Sequence, residues 1–511
     1  MRASILAVLL TTLIASGSLP SIGRAQNSPK SLDGLDRQIT KMLADWQVPG
    51  VAISIVRRDT VLLARGYGLR EIGKPGLVDA DTRFSIGSCS KAFTSAAIAG
   101  LVGASKMRYD DPVTDWLPWF QTPDPWVTRE IRVRDLLAHR SGYDLFDEAK
   151  IWQFATSAKD LVVRTTLEPS RSRFRERYRY SNSMFSAAGL VVEAVSATSY
   201  DEYVQREIFT PLGMRRTITS SRDQVAGDNY ALGHMMNGAA IVPEPRDFID
   251  DTTLVATGGV ISTAADMAQW LRFQLGKGRM GKTRLVDSAA FAEQHIPHTP
   301  ARGGPVEAAY WFAHVDAADL QTRHWNYALG WFVVDYRGRN LVWHGGTFNG
   351  YRCAIGFLPD EQVGVYIGVN RMTLLPPALM FDLLDRLTGG ERRDWNAIFL
   401  REARLQAEDA GRAATLAARR NTGTKPSWPL AADTGSYSQA AIGTLRIALD
   451  GDRLSAVVGR FTARLEHWQY DSFRATWDAA LPAGIVTFAY DDSGKARSVT
   501  VEGLGVFNRD R

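Results

Sequence analysis

Apolar residues recur along the chain with two spacings, and the spacing separates predicted helices from predicted strands. Leu35, Ile39 and Leu43 share one face of a helix that should end at the Pro49-Gly50 pair. Short apolar runs bounded by turns predict strands instead. The strand candidates lie at residues 51–56, 61–68, 329–336, 341–347, 352–357 and 363–369. Because neighbouring candidates are joined by short turns, we expect an α+β domain with an antiparallel sheet flanked by helices.

Helical spacing dominates the long stretch between the second strand candidate and the later ones. From Ala92 to Val102 nearly every residue is small or apolar, so this helix should be buried on most sides. Further helices are predicted at residues 133–139, 160–167, 186–196, 201–209 and 264–273. The stretch is therefore interpreted as a helical insert in the domain that contains the sheet.

Residues 430–511 have a different pattern, in which short runs of alternating apolar and polar residues are separated by tight turns. Leu445, Ile447 and Leu449 alternate with polar residues before a turn at residues 450–452. Short alternating strands with tight turns are typical of a small antiparallel sheet or barrel. We therefore expect a small all-β, barrel-like domain at the C-terminal end.

The segment between these two regions predicts a connection. Residues 397–420 are rich in Ala, Glu and Arg with helical spacing, which predicts an exposed connecting helix, and residues 421–429 contain two prolines and resemble a linker. The expected organisation is a signal peptide at 1–25, a hydrolase domain at 26–395, a helical linker at 396–429 and an antiparallel β domain at 430–511.

The charge balance argues against a nucleic-acid partner. The chain contains 60 basic and 55 acidic residues, which gives a formal charge of +5. No basic cluster is interleaved with aromatic residues, as nucleic-acid binding would require. Five arginines alternate with other residues from Arg171 to Arg179. A solvated strand or loop face is the favoured interpretation of that run, and attraction of a carboxylate substrate is the alternative.

The N-terminus has the pattern of an export signal. Arg2 precedes an apolar run at residues 5–14, and Gly23-Arg24-Ala25 places small residues where a signal peptidase requires them. We expect cleavage after Ala25 and a periplasmic or secreted protein, with an uncleaved anchor as the alternative. No later segment is apolar enough to cross a bilayer, so no stable membrane span is expected.

The two cysteines, Cys89 and Cys353, are too few for a disulfide framework or a cysteine-based zinc site. Export would permit a single disulfide, yet we expect two unpaired, buried thiols that could be neighbours. His295 and His298 have a spacing that could bind a metal, but they are interpreted as an ordinary loop pair. No metal and no organic cofactor is expected.

The first candidate for chemistry is the sequence from Gly87 to Lys91, which opens the buried helix. Ser88 and Lys91 are three residues apart and share one face of a helix. A lysine whose charge is disfavoured by burial can take a proton from the serine hydroxyl. The N–H groups at the start of the helix can stabilise a developing oxyanion. A helix cap followed by a surface lysine has the same spacing, so the motif needs support from elsewhere.

That support comes from Tyr180-Ser181-Asn182, the only Tyr-x-Asn in the chain. A tyrosine phenol near a lysine can serve as base in acylation and as acid toward the leaving group. The Asn182 amide could bind both Lys91 and a substrate carbonyl. In an extended segment Tyr180 and Asn182 would point to the same side. A surface tyrosine beside a turn asparagine is the alternative.

The third candidate is the strand segment His344-Gly345-Gly346-Thr347. Glycines on an edge strand let a substrate backbone lie close beside it. The N–H groups of Thr347 and Ser88 could together form an oxyanion hole, and His344 would be a positive or polar group near the substrate. The glycine pair in residues 257–263 could also line the cleft, or could form a simple turn.

Together these motifs resemble those of the serine beta-lactamase-related hydrolases, which include class C beta-lactamases, penicillin-binding proteins, esterases and D-aminopeptidases. The resemblance covers about residues 32–388. It implies a transpeptidase-like fold, Ser88 as the nucleophile, Lys91 and Tyr180 as the proton-transfer pair and Asn182 as a positioning residue. It also implies that His344, Gly345 and Gly346 form the wall of the substrate site.

The chain departs from the beta-lactamase pattern on that strand. Beta-lactamases usually have Lys-Thr-Gly there, whereas this chain has His344-Gly345-Gly346. The departure fits the esterase and peptidase branches better than strong penicillin turnover. The C-terminal segment resembles the lipocalin-like domain of some family members. A Gly-x-Ser-x-Gly elbow, the signature of the alpha/beta-hydrolase fold, is absent.

The sequence therefore predicts an exported serine hydrolase that cleaves amide bonds of short peptides through an acyl-enzyme on Ser88. A carboxylesterase acting on small esters is an alternative, as is a penicillin-binding or beta-lactam-interacting protein with weak hydrolysis. A catalytically silent binding protein is a further alternative, although Ser88, Lys91 and Tyr180 argue against it. The expected partner is a small molecule or short peptide, and the oligomeric state is not predicted.

Overall fold

The computed structural model describes residues 32–510, except for 220–227, 239, 245–252, 302–310, 312–314, 316, 479–480 and 482. The expected signal peptide at residues 1–25 lies outside the described residues. Among the helices of the described part, none combines the length and the apolar character that crossing a bilayer requires.

The described elements form a larger N-terminal part of helices and strands, followed along the chain by an all-β C-terminal part. The helices are α1 Leu35–Asp45, α2 Lys91–Gly103, α3 Val113–Trp116, α4 Pro125–Glu130, α5 Val133–Leu137, α6 Leu145–Ile151, α7 Ala158–Leu167, α8 Asn182–Ser196, α9 Tyr200–Val204, α10 Thr210–Leu212, α11 Val255–Gly258, α12 Ala264–Leu275, α13 Ser288–Ala292, α14 Ala317–Leu320, α15 Leu375–Thr388 and α16 Trp395–Ala417. The strands are β1 Gly50–Arg57, β2 Thr60–Gly68, β3 Phe84–Ser85, β4 His234–Asn237, β5 Ala240–Pro243, β6 Ile261–Ser262, β7 Arg279–Met280, β8 Thr283–Arg284, β9 Thr299–Pro300, β10 Trp325–Tyr327, β11 Phe332–Tyr336, β12 Arg339–Phe348, β13 Tyr351–Leu358, β14 Val363–Val369, β15 Gly435–Gln439, β16 Gly443–Asp450, β17 Arg453–Val458, β18 Phe461–Gln469, β19 Ser472–Trp477, β20 Gly484–Tyr490, β21 Ala496–Val501 and β22 Gly505–Arg509.

The central feature of the larger part is an eight-stranded sheet with the order β2-β1-β14-β13-β12-β11-β10-β9. Its neighbouring strands pair antiparallel, for example β1 with β14 and β12 with β13. Short turns join β10 through β14 in sequence, so this half of the sheet is built from successive hairpins. The predicted antiparallel sheet is therefore confirmed.

Both faces of this sheet are covered, because successive side chains of a strand point to opposite faces. On β14, Val365 and Ile367 pack toward α1 and α15, whereas Tyr366 belongs to the cluster on the opposite face. That second cluster also contains Trp270 of α12 and most of α2. The helix α2 is buried almost throughout its length, as its small and apolar sequence predicts.

The C-terminal part closes into an eight-stranded barrel in which β15 to β22 follow one another in order. The pairing of Tyr437 on β15 with Arg509 on β22 completes the barrel. Its interior contains apolar residues at alternating positions, including Leu445 and Ile447. The predicted small all-β domain is thus confirmed, together with its barrel form.

The connecting helix α16 differs from the exposed helix that the sequence predicts. Trp395 and Phe399 in its first turns are buried against α15, and the Trp395 Nε1–H donates to Asp385 Oδ2 at 2.8 Å. The described residues from 407 to 415 are all exposed, whereas earlier in the helix buried and exposed positions alternate. The Ala- and Glu-rich composition thus concealed one buried aromatic residue of the predicted helix, Phe399.

Candidate active site

A short 3₁₀ turn, Gly87–Ser90, connects β3 to α2 and presents Ser88. The Ser90 side chain fixes the turn, because its Oγ donates to the Gly87 carbonyl at 2.6 Å and accepts the Val260 N–H at 3.0 Å. Ser88 is the one residue of this turn that is not buried. Its hydroxyl therefore lies on a rigid support with one side accessible.

Lys91 begins α2 and is fully buried. Its ammonium donates to Ser88 Oγ at 3.2 Å, to Asn182 Oδ1 at 2.6 Å and to the Thr257 carbonyl at 3.0 Å. A protonated lysine has three N–H donors, so these three acceptors fix the position of the nitrogen. The helical spacing that the sequence predicts places this nitrogen directly at the serine hydroxyl.

Tyr180 approaches Ser88 from the other side. Its hydroxyl donates to Ser88 Oγ at 2.7 Å, and its ring lies 4.6 Å from the Lys91 nitrogen. The Ser88 hydroxyl thus lies within hydrogen-bond distance of an amine and a phenol, and either group can receive its proton once it has lost one of its own. The structure thus brings Ser88, Lys91, Tyr180 and Asn182 into one group.

The sequence was interpreted with Tyr180 and Asn182 in one extended segment, but the segment is extended only as far as Ser181. Ser181 has extended backbone angles and caps α8, while Asn182 is the first residue of that helix. Asn182 reaches Lys91 from the helix start, and its Oδ1 also accepts the Thr257 hydroxyl at 2.8 Å. The sequence predicted that this helix starts at residue 186, whereas the cap at Ser181 lets it start at Asn182.

The strand β12 is not an edge strand, because it pairs with β11 on one side and β13 on the other. Its pairing with β11 ends at Trp343, opposite Phe332, so the predicted segment from His344 to Thr347 extends beyond β11. On that side the segment keeps a free edge within the described sheet. The edge expected for substrate is thus confined to the end of an internal strand.

The two glycines of this segment are required by protein packing. A Cβ on Gly346 would lie 1.9 Å from the Ile86 carbonyl oxygen, and one on Gly345 would lie 2.5 Å from the Trp311 ring. Gly87, with φ +47°, would in the same way collide with the backbone of Thr347. These close approaches place the Thr347 N–H beside the residue that precedes Ser88.

His344 does not supply the positive charge that the sequence analysis allowed. Its ring is buried, and burial, reinforced by the nearby Lys91 charge, lowers the pKa of His344 to about 3. Nδ1 donates to the Gly345 carbonyl at 2.7 Å, which leaves Nε2 to accept the Tyr327 hydroxyl at 3.0 Å. His344 is therefore a neutral, structural group in the wall of the site.

Cys89 and Cys353 are neighbours, with their sulfur atoms 3.2 Å apart, and both are free and buried as expected. Burial, together with the contact to Cys89, raises the pKa of the Cys353 thiol well above its usual value. The two thiols fill the space between the Ser88 turn and β13. They contribute packing beneath the nucleophile.

Three residues that the sequence analysis did not assign to the site also contact it. Thr257 binds both Lys91 and Asn182, as described above. His139 has φ +52°, accepts the Ser181 N–H at 3.1 Å and packs against the Tyr180 ring. Glu148 binds the start of α8. The glycine pair after Thr257 was the only available signal for any of them.

The other candidates from the sequence have structural partners outside the site. Within the arginine run, Arg175 pairs with Asp135 and Arg179 with Asp144, so these two arginines are committed to ion pairs. The His295 ring packs against Phe291, Trp331 and Phe357. Among the described residues, no group of three or more His, Cys, Asp or Glu side chains could hold a metal ion.

A sheet flanked by helices, with a serine, lysine and tyrosine gathered where α2 and α8 begin, defines the fold class of the penicillin-recognising serine hydrolases. A family model described as Beta-lactamase matches residues 35–388. The chain therefore belongs to the beta-lactamase family, a family of serine hydrolases. A second model, a domain of unknown function called DUF3471, matches residues 419–509, which include the barrel.

Known relatives and structures agree with this assignment. Unguisins hydrolase ungD' from Aspergillus campestris is 25% identical over 450 residues, which cover 84% of this chain and 80% of the relative. The octameric penicillin-binding protein homologue from Pyrococcus abyssi has a TM-score of 0.61 at 21% identity and covers 93% of this chain and 100% of its own. D-amino acid amidase from Ochrobactrum anthropi has a TM-score of 0.56 at 20% identity, over 70% of this chain and 96% of its own.

Proposed function

We propose that the protein is an exported serine hydrolase that cleaves amide bonds of short peptides through an acyl-enzyme on Ser88. The observation that supports this most directly is the Ser88 hydroxyl, which receives hydrogen bonds from Lys91 Nζ at 3.2 Å and from the Tyr180 hydroxyl at 2.7 Å. A buried lysine directed at a partly exposed serine suits nucleophilic catalysis.

In the proposed reaction the Lys91–Tyr180 pair first holds one proton fewer than in the arrangement described above, so that it can act as a base. Ser88 Oγ attacks the substrate carbonyl carbon, and its proton passes to the vacant position on the pair. The N–H groups of Ser88 and Thr347 stabilise the negative oxygen that forms. The Tyr180 hydroxyl then donates a proton to the departing amine, and the C–N bond breaks. Water next attacks the ester on Ser88, giving its proton back through the same pair, and the acid leaves.

One comparison favours an amide substrate. A solved structure of similar fold is a D-amino acid amidase, and a relative in sequence is named an unguisins hydrolase. The free edge of β12 from His344 to Thr347 could align an extended peptide by backbone hydrogen bonds. Short peptides or amino-acid amides are therefore the first substrates to test.

A small carboxylic ester is the second candidate, and one observation favours it. His344 is neutral and buried where beta-lactamases usually place a lysine. Position 344 therefore offers no cation for a substrate carboxylate. Binding of an uncharged ester would not be weakened by histidine in place of lysine, whereas a penicillin carboxylate would lose an ion pair. Weak lactam binding with little turnover is the corresponding expectation.

The test is a hydrolysis panel with the purified protein and its Ser88→Ala variant. The panel contains matched L- and D-dipeptides, amino-acid amides, nitrophenyl esters and nitrocefin. We expect turnover of at least one amide or peptide, slower turnover of nitrocefin, and no turnover of any of them by Ser88→Ala. Full activity in the variant would refute the nucleophile, and turnover of esters alone would replace the peptidase by an esterase.

Export is part of the proposal and has its own test. The full chain, expressed in a bacterium with an intact secretion system, should appear outside the cytoplasm with Gln26 as its first residue. N-terminal sequencing of fractionated cells measures this directly. Recovery of the uncleaved chain from the cytoplasm would contradict export and leave the hydrolase chemistry untouched.

A further inference from the structure

The N-terminus of α8 is held by groups from other parts of the chain. A helix start usually satisfies its N–H groups with a cap residue and an acidic residue three positions later. Ser181 is the cap and accepts the Met184 N–H at 3.2 Å, but Met184 itself occupies the position where Glu or Gln would complete a capping box. The missing carboxylate is supplied by Glu148 of α6.

Glu148 is fully buried and uses both of its oxygens. One accepts the Ser181 hydroxyl, and the other accepts the Asn182 N–H at 2.6 Å. Since Ser181 lies between Tyr180 and Asn182, the carboxylate holds the backbone from which both of these side chains extend. It touches neither Ser88 nor Lys91 in the described contacts, so any effect on chemistry must act through the segment 180–182.

We propose that Glu148 is a positioning residue, which fixes the Tyr180 hydroxyl and the Asn182 amide against Ser88 and Lys91 by holding the start of α8. This inference rests on the proposed function, because it assigns Tyr180 a part in proton transfer. A shift of about 1 Å at a reacting group can cost about a hundredfold in rate. In the ionised form both Glu148 oxygens accept, one from the Ser181 hydroxyl and the other from the Asn182 N–H.

Two opposing effects act on that carboxylate. Burial raises the pKa of Glu148 to about 7, although the hydrogen bonds from residues 181–183 lower it. The N-terminus of α8 adds the favourable end of a helix dipole. The charged or titratable groups around the segment are Lys91, His139 and the Asp144–Arg179 ion pair. Below about pH 7, protonation turns one Glu148 oxygen into a donor, so the Ser181 hydroxyl has to rotate and accept where it had donated.

The test compares Glu148→Gln with the wild type by kcat, KM and the pH profile on whichever substrate the panel yields. Glutamine has nearly the same shape, but one of its two polar ends cannot accept. We expect kcat to fall about tenfold or more with KM changed less than about twofold, and the acidic limb near pH 7 to disappear. Glu202→Gln is the matched control, because Glu202 caps α9 away from the site.

A second variant keeps the inference testable if Glu148→Gln does not fold. Ser181→Ala removes one hydrogen bond to the carboxylate, which should move the acidic limb to higher pH. A merely structural role would leave that limb in place. Unchanged kcat in Glu148→Gln, or a limb that neither variant moves, would overturn the inference. Fluorophosphonate labelling of Ser88 in these same samples would show that the proposed nucleophile stands even then.

Discussion

The Ser88 hydroxyl has two donors at hydrogen-bond distance, and they differ in how the sequence reveals them. Lys91 lies three residues away, where the 3₁₀ turn that contains Ser88 continues into α2, so its position follows from local helical geometry. Tyr180 is 92 residues further along and could be named only because its motif resembles a family pattern. The contact between the two motifs depends on how α2 and α8 pack, which no local pattern encodes.

Replacing Tyr180 by Phe should separate chemistry from packing. The ring would keep its contacts with His139 and Lys91, while the donor to Ser88 would be lost. We expect kcat/KM to fall about 10²- to 10⁴-fold with little change in melting temperature.

The matched control for that variant is Tyr178→Phe. Tyr178 lies on the same segment as Tyr180, and its ring packs against His139 and Tyr327. Near wild-type activity is expected there. If both variants lose the same activity, the Tyr180 hydroxyl has no special part in the reaction.

The neutral state of His344 predicts acid sensitivity of the fold. Its pKa is about 3 in the native state against 6.5 ordinarily, so below pH 6.5 the unfolded chain binds a proton that the native chain does not. The free energy of unfolding should therefore decrease as the pH is lowered. Between pH 7 and pH 5 this residue should account for a decrease of about 2 kcal/mol. Denaturant unfolding at several pH values would show a shallower fall for His344→Gln. An unchanged slope would mean that His344 titrates normally.

His139, Glu148 and Thr257 illustrate what the sequence could not provide at this scale. Each makes its contact through a side chain whose partner is distant in the chain, as with Glu148 and Ser181, 33 residues apart. A single buried Glu has no periodicity, and a lone His before a turn is usually structural. The roles of such residues depend on tertiary contacts that only coordinates reveal.

At the scale of elements, the spacing of apolar residues predicted most strands of the large sheet within one or two residues. For example, the candidate at 51–56 corresponds to β1, Gly50–Arg57. The boundaries failed where a cap or a buried aromatic decided them, at the start of α8 and in the first turns of α16. The prediction that β12 is an edge strand was also wrong in part, because glycine content cannot show which strands pair.

Gly346 gives a prediction about the contact between β12 and the Ser88 turn. A Cβ there would overlap the Ile86 carbonyl oxygen, so Gly346→Ala should push the turn away from the strand. We expect a loss of about 2–3 kcal/mol in unfolding free energy and a fall in kcat, measured by denaturant unfolding and steady-state kinetics.

Gly411→Ala is the control for that substitution, because Gly411 lies in α16 with open space where its Cβ would be. Alanine should stabilise this helix by up to about 1 kcal/mol and leave activity unchanged. If Gly346→Ala and Gly411→Ala had the same unfolding free energy and the same activity, the close approach at Gly346 would not be required.

At the scale of the whole molecule, the barrel docks on the helical insert that bears Glu148. Phe154, just after α6, packs edge-on against Phe461 of the barrel with ring centroids 5.4 Å apart. Arg164 of α7 donates to the Ala441 carbonyl at 2.9 Å, and Gln439 binds Glu168. The sequence predicted the barrel from its alternating strands, but the docking surface consists of scattered residues without a pattern.

Phe154→Ala should loosen this docking. The removed ring fills space beside Gly459 and Phe461, so a cavity would remain at the contact between barrel and insert. We expect a lower melting temperature and faster protease cleavage in the linker at residues 421–429. Val163→Ala, on the more exposed face of α7, is the control and should behave like the wild type. Identical cleavage rates in all three proteins would contradict a docked barrel.

The central claim is that Ser88 forms a covalent acyl intermediate, and intact-protein mass spectrometry tests it most directly. The protein is mixed with an activated ester or a slowly released amide, quenched in acid within seconds, and digested to locate the added mass. We predict one acyl group per chain on the peptide that contains Ser88, and none in Ser88→Ala. Steady turnover with no adduct, or an adduct that persists in Ser88→Ala, would contradict the account.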